Sequence, residues 1–188
     1  IKSIKAEVGG GQGQAQQPSG GGASKPPAEA PKPEAPKPAP KKAQSGSGSI
    51  EVSSNFHAPP KEVFECFTVP QKVMAYTQSK CQVSATAGDS LMLFDGAIVG
   101  KVLEVEKDKK LVWQWRNNSW SAGVESKCEI QLVDNGPGST QVTIKHSGIP
   151  YADAHGNDDM PRVVEEGWKR NILDRIKMVF GFGIPEFS

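Results

Sequence analysis

The first 49 residues lack aromatic side chains altogether, and their only aliphatics larger than alanine are Ile1, Ile4 and Val8. Such a stretch has too little to bury to offset the entropy of ordering its backbone, which excludes a second folded domain before residue 50. Long apolar runs are also missing. None approaches 18 residues, so no segment of the sequence is built to cross a membrane as a helix. The chain opens at Ile1, without Met and without a basic-then-apolar leader, and reads as a piece of a longer protein. Cysteine is scarce: Cys66, Cys81 and Cys128 are odd in number, far apart and form no Cys-x-x-Cys pair. That usage predicts reduced, apolar-like thiols and a cytoplasmic location rather than a disulfide framework. The three histidines, His57, His146 and His155, stand at no ligand spacing from any cysteine, so neither zinc nor any other metal or cofactor is expected. Excess basic charge is absent from the foldable part. Residues 1–49 carry seven Lys and three Glu, and the whole chain is only +1, so residues 50–188 carry −3. A mildly acidic domain with no basic stripe excludes nucleic acid as a partner.

What is present divides at Ser49. Residues 1–49 predict a Gly/Gln/Pro/Ala-rich linker of two stiffnesses. Gly9 to Gly22 is a flexible coil by composition, while Pro26 to Pro40 repeats Ala-Pro-Lys-Pro and favours a polyproline II spacer of roughly 45 Å. All 13 aromatics lie in residues 50–188, which form one domain able to bury about two-thirds of its unfolded surface.

Within that domain, alternation predicts a strand over Ile50–Phe56. Pro59-Pro60 and then Pro70 introduce two short helices, Lys61–Phe67 and Gln71–Tyr76. Strands are predicted over Cys81–Thr86, Ser90–Phe94, Ala97–Glu106, Leu111–Arg116, Glu125–Val133 and Thr140–His146, with Asp95-Gly96 as the strongest hairpin signal. On the third of these, Ile98, Gly100, Val102 and Glu104 share one face. Arg162–Phe180 carries an apolar stripe of Val164, Trp168, Ile172, Ile176, Val179 and Phe180. Asp158-Asp159 is expected to cap that helix and Gly181 to end it. A curved antiparallel sheet with one apolar face needs a cover, and the long helix supplies it. The fold class is α+β, in the helix-grip arrangement of the Bet v 1 and START-like superfamily.

No catalytic constellation assembles from the sequence. Gly88-Asp89-Ser90-Leu91 matches the nucleophile block of GDSL-type esterases, but Asp153-Ala-His155 is one residue short of their Asp-x-x-His, and α/β alternation is missing. The oxygen-rich Asp153–Asp159 stretch fails as a calcium loop, with Asp158 where glycine is required and Val164 where glutamate is. His57 and His146 stand alone, where a surface or hydrogen-bonded role is the default. The chain is therefore expected not to be an enzyme.

Trp113, Trp115 and Trp168 fall on predicted inner faces. Together with Met74, Met92, Phe94 and Ile172 they either line a cavity between sheet and helix or fill it. Trp120 lies in the polar stretch Asn117–Gly123 and either folds back over the core or contacts a partner. Asn117, Ser119 and Trp120, with Lys169 and Arg170 on the exposed side of the long helix, are the candidate partner-binding residues.

Certain motifs occur in one order: Asp95-Gly-x-x-x-Gly100, Leu111-Val-Trp-Gln-Trp-Arg116, Ser119-Trp120, Gly148-Ile-Pro150, Gly167-Trp168-Lys-Arg170 and Phe180-Gly-Phe-Gly183. Together they resemble the C-terminal domain of the activators of heat shock protein 90 ATPase, the Aha-type co-chaperones, over about Ile50–Gly183. The resemblance implies a heat shock protein 90 partner, a role in favouring the closed state of that chaperone and stimulating its ATPase, and an N-terminal domain preceding the linker. The alternative is a helix-grip domain that binds a small hydrophobic molecule or lipid.

Overall fold

The computed structural model describes residues 46–183. Six antiparallel strands form one sheet in the order β1-β6-β5-β4-β3-β2. They are β1 (Ser47–Phe56), β2 (Ser90–Leu93), β3 (Ile98–Glu106), β4 (Lys110–Asn117), β5 (Ser126–Asp134) and β6 (Thr140–Pro150). Helices α1 (Pro60–Thr68) and α2 (Pro70–Thr77) separate β1 from β2, each entered through a proline whose missing N–H costs nothing in a first turn. The chain ends on α3 (Met160–Gly167), a π-helical turn (Trp168–Leu173) and α4 (Asp174–Phe180), which run on as one continuous helical rod. This is the helix-grip arrangement that the element order predicts.

The core lies between the sheet's inner face and the helices. Leu111, Trp113 and Trp115 of β4, Cys128, Ile130 and Leu132 of β5, and Val142 and Ile144 of β6 all turn inward, as period two requires. Val164, Trp168, Ile172 and Ile176 cover them from the helix. Residues spaced four apart on an α-helix drift by about 40° per step. The π turn takes up that drift and buries Leu173, which the predicted stripe omits. Val179 is 43% exposed and falls off the stripe, whereas Phe180, its predicted end, packs against the core.

Several sequence expectations change at the backbone. β1 begins at Ser47 and β6 runs on to Pro150, three and four residues beyond the predicted ends. Cys81–Thr86 forms no strand, only an isolated bridge between Gln82 and Met92, because β2 is four residues long and offers few partners. A bulge at Leu103 leaves that side chain 48% exposed and rotates Val105 onto the core, so β3 does not keep one face throughout. A second bulge falls at Gly148, whose φ of +78° favours glycine, and it directs Ile149 fully inward. Asp159 does not cap α3 with its side chain. Its own φ is +61°, and its carboxylate pairs with Arg162 at 2.5 Å instead. Gly181, at φ +70°, ends α4 as expected, with the Phe182 N–H donating to the Lys177 carbonyl.

Candidate functional site

Period two places His146 on the inner face of β6 two residues beyond Ile144, and it is 1% exposed. Trp168, on the buried stripe of the helix, donates its indole N–H to His146 Nδ1 at 3.0 Å. An indole nitrogen only donates, so Nδ1 is the acceptor and the neutral ring carries its proton on Nε2. That proton points to Ser126 Oγ at 2.6 Å, and the serine hydroxyl donates onward to the Trp115 carbonyl at 2.9 Å. Burial pushes the His146 pKa down to about 3, so the ring is neutral near pH 7.

A serine hydroxyl beside an imidazole nitrogen has the spacing of a nucleophile–base pair. Here the bonds run the other way. Nε2 gives a proton to Oγ rather than taking one, the hydroxyl hydrogen is committed to a backbone carbonyl, and Nδ1 faces an indole where a base would be oriented by an acceptor. The chain Trp168–His146–Ser126–Trp115 joins helix to sheet. Sequence reasoning left His146 isolated. The signal that would have found it is its register with Val142 and Ile144.

Around this chain the aromatics form a stacked layer. Trp168 stacks on Trp113 and Trp115 with ring centroids 6.5 and 6.1 Å apart, and Trp115 meets His146 edge-on at 4.4 Å. Trp120 is 2% exposed and edge-on to Trp115 at 5.6 Å, so of its two expected places the core is the one it takes. Arg116 Nη2 holds it there by donating to the Trp120 carbonyl at 2.8 Å and to that of Ser121 at 3.3 Å. The Trp-Arg…Trp motif is thus a device for closing the β4–β5 turn over the core. Gly100, paired with Trp115 across β3 and β4, has no room for a side chain: a Cβ there would lie 1.8 Å from the Gln114 carbonyl oxygen.

Beside the layer an apolar cleft of about 260 Å³ opens between the helical rod and the β2–β3 turn. Of the residues expected to line a cavity, Phe94, Trp115, Trp168 and Ile172 do so. Trp113 is buried in the layer behind them, Met92 is half-buried on β2 and does not line the cleft, and Met74 is 40% exposed on α2. The candidate partner-binding residues do not gather on one face of the cleft. Asn117 lines it, with Oδ1 accepting the Ser119 N–H at 3.0 Å. Lys169 and Arg170 are exposed and do not line it, and Lys169 pairs with Glu165 one turn away. The Asp153 turn is closed on itself, its carboxylate accepting from Asn157 Nδ2 and from the backbone N–H groups of His155 and Asn157, which hold it below the usual carboxylate range.

The sequence model of a family described as "Activator of Hsp90 ATPase homolog 1-like protein" matches residues 57–181, from the end of β1 to the cap of the last helix. The chain belongs to that family. It is 35% identical over 139 residues to the "Activator of 90 kDa heat shock protein ATPase homolog" of Dictyostelium discoideum, covering 74% of this chain and 34% of that protein. It is 32% identical over 149 residues to the "Hsp90 co-chaperone AHA1" of Saccharomyces cerevisiae, covering 74% of this chain and 40% of that one. The chain thus spans little more than a third of these relatives. Among solved structures, the crystal structure of an HSP90 activator from Plasmodium falciparum superposes with a TM-score of 0.69 at 24% identity, over 72% of this chain and 97% of that one. At that identity the likeness shows the shared fold. Among the described residues no helix is long and apolar enough to cross a membrane.

Proposed function

We infer that this chain binds heat shock protein 90 and helps stimulate its ATPase by favouring the closed state of the chaperone dimer. The observation that carries this reading is the family match at residues 57–181, which takes in nearly all of the described fold. Such a role needs no bond-making residue, only tighter binding to one state of the chaperone than to the other. The Ser126–His146 pair, with its protons already committed, supports a chain that is not itself an enzyme. On composition, the residues before β1 serve as a tether that raises the local concentration of the domain at its target, so the domain's own contact can be weak. The small-molecule carrier has less to stand on. The cleft is smaller than the roughly 300–1,000 Å³ of sites that enclose drug-sized ligands, and Trp113 and Met74 do not line it.

The test is the ATP hydrolysis rate of purified heat shock protein 90, with and without an excess of this chain, beside a binding measurement on the same samples. Binding with a raised rate supports the reading. Neither binding nor any change in rate at saturating concentrations overturns it.

A further inference from the structure

The helical rod presents a second row beside its buried stripe: Val163, Gly167, Asn171 and Arg175, at uniform spacing of four. The first three line the apolar cleft, and Asn171 and Arg175 line a second hollow of about 250 Å³, with more polar walls, that shares Phe94 with it. The two hollows are therefore neighbours along one wall that grades from apolar to cationic. Gly167 is the unexpected member. Its φ and ψ of −59° and −45° are ordinary helix, and a Cβ built there meets nothing within 4 Å among the described residues. Neither backbone conformation nor packing inside the domain asks for glycine, which costs a mid-helix position about 1 kcal/mol relative to alanine. What glycine does supply is a bare patch of helix in the cleft, where another backbone can lie close.

We propose that this groove docks an extended segment of the chaperone, with an apolar side chain seated against Trp115, Trp168 and Ile98 and an acidic side chain three residues away on Arg175. The inference rests on the co-chaperone reading above. Charge and size choose the occupant. Arg175 is exposed and forms no ion pair among the described residues, whereas Lys169 and Arg162 on the same rod are paired with glutamates. From Gly167 to Arg175 is about 12 Å along a helix, the length of three to four residues of extended chain. The cleft's volume of about 260 Å³ suits one large side chain. Asn117 and Asn171 both line it, and their amides carry donors and acceptors of the kind a peptide backbone can meet.

The experiment is amide NMR of the full 188-residue chain, titrated in parallel with heat shock protein 90 and with the peptide acetyl-Leu-Ser-Ser-Asp-amide. Binding of Gly167→Leu and Arg175→Glu to the chaperone is measured alongside. The geometry predicts chaperone-induced broadening centred on Gly167, Asn171 and Asn117, and saturable shifts at the same amides with the peptide, several-fold weaker when its Asp is replaced by Asn. Gly167→Leu fills the cleft at a position with open space, so it keeps or raises the Tm while weakening chaperone binding about tenfold, the size of a lost anchor. Lys107→Glu, exposed in the β3–β4 turn and not lining the cleft, leaves binding unchanged. Chaperone binding with broadening elsewhere, or undiminished by a folded Gly167→Leu, overturns the groove and leaves the co-chaperone reading standing. If the chaperone does not bind at all, that reading fails by itself, and the peptide decides the groove: localised saturable shifts support it, none overturns it. A small molecule co-purifying in the cleft on native mass spectrometry, or concentration-dependent shifts of Gly167 without any partner, also overturns it.

Discussion

Trp168 donates its indole N–H to Nδ1 of His146 across 3.0 Å, joining the covering helix to strand β6 at the centre of the core. One side chain comes from the helical stripe and the other from the period-two face of a strand, 22 residues apart in sequence. The bond fixes the histidine tautomer, and the tautomer fixes the direction of every hydrogen bond down to the Trp115 carbonyl. Elsewhere in the layer the indole N–H groups of Trp113, Trp115 and Trp120 are buried with no acceptor among the described residues.

That contrast between paired and unpaired indoles is measurable. Trp168→Phe and Trp113→Phe remove similar volumes from the same stack. The first also strands Nδ1 of His146, whereas the second deletes a donor that had no partner. Urea unfolding is expected to place Trp168→Phe lower in stability than Trp113→Phe by about 1–3 kcal/mol, the cost of one buried unsatisfied group. Equal losses would show that the bond adds nothing beyond packing.

Acid should loosen the same site. The folded pKa of His146 is about 3 against an ordinary value of 6.5, so between those values the unfolded chain binds a proton that the native ring refuses. This contribution to stability is complete above about pH 6.5 and falls as pH drops towards 3, with a slope of up to about 1.4 kcal/mol per pH unit. The window from pH 5 to 6.5 isolates it, because Glu65 and Asp153 are held below the usual carboxylate range and titrate lower. Denaturant midpoints across pH 5–8 should decline below 6.5 in the unaltered chain and stay level in His146→Leu, which starts from a lower plateau.

Two glycines should respond in opposite directions to one added methyl group. In Gly100→Ala the Cβ falls 1.8 Å from the Gln114 carbonyl oxygen, so β3 and β4 must separate, at a cost of about 3 kcal/mol or more. Gly167→Ala meets nothing and gains helix propensity, stabilising by about 0.5–1 kcal/mol. Thermal unfolding of the pair reads both signs. A destabilised Gly167→Ala would contradict the open space described beside that residue.

Thiol chemistry follows burial. Desolvation pushes Cys66 up to about 12 and Cys128 well above the ordinary thiol value, and both are buried. Cys81 is only partly buried, and desolvation raises it as well. Ellman's reagent added to the native chain at pH 8 should therefore titrate about one thiol promptly, and the remaining two only after denaturant is added. Prompt reaction of all three would mean that the sheet opens in the native state.

Local periodicity was enough to read most of the fold. Alternation marked the inner faces of β4, β5 and β6 because one side of those strands is dry, and prolines marked α1 and α2 because they sit where an N–H has no helical partner. The same rules broke down where an extra residue changes the phase. The bulges at Leu103 and Gly148 and the π turn at Trp168–Leu173 arise from fitting a strand or helix against its neighbours, which no short window of sequence contains.

The site was legible only in part. Motifs running from Asp95 to Gly183 were enough to indicate the family, and several of them meet a local constraint: a close approach at Gly100, a bulge at Gly148, a helix end at Gly181. The linker expected from composition over residues 1–49 lies outside the described residues up to position 45, and its last three residues, Ser47–Ser49, belong to β1. The tertiary structure alone decided which polar groups meet. That Ser126, His146 and Trp168 share one hydrogen-bond chain, that Trp120 lies inside rather than out, and that Gly167 opens into a cleft all depend on a helix laid across a sheet. Contacts of that kind are set by the summed packing of distant segments, and a sequence read one window at a time carries the segments but not their distances.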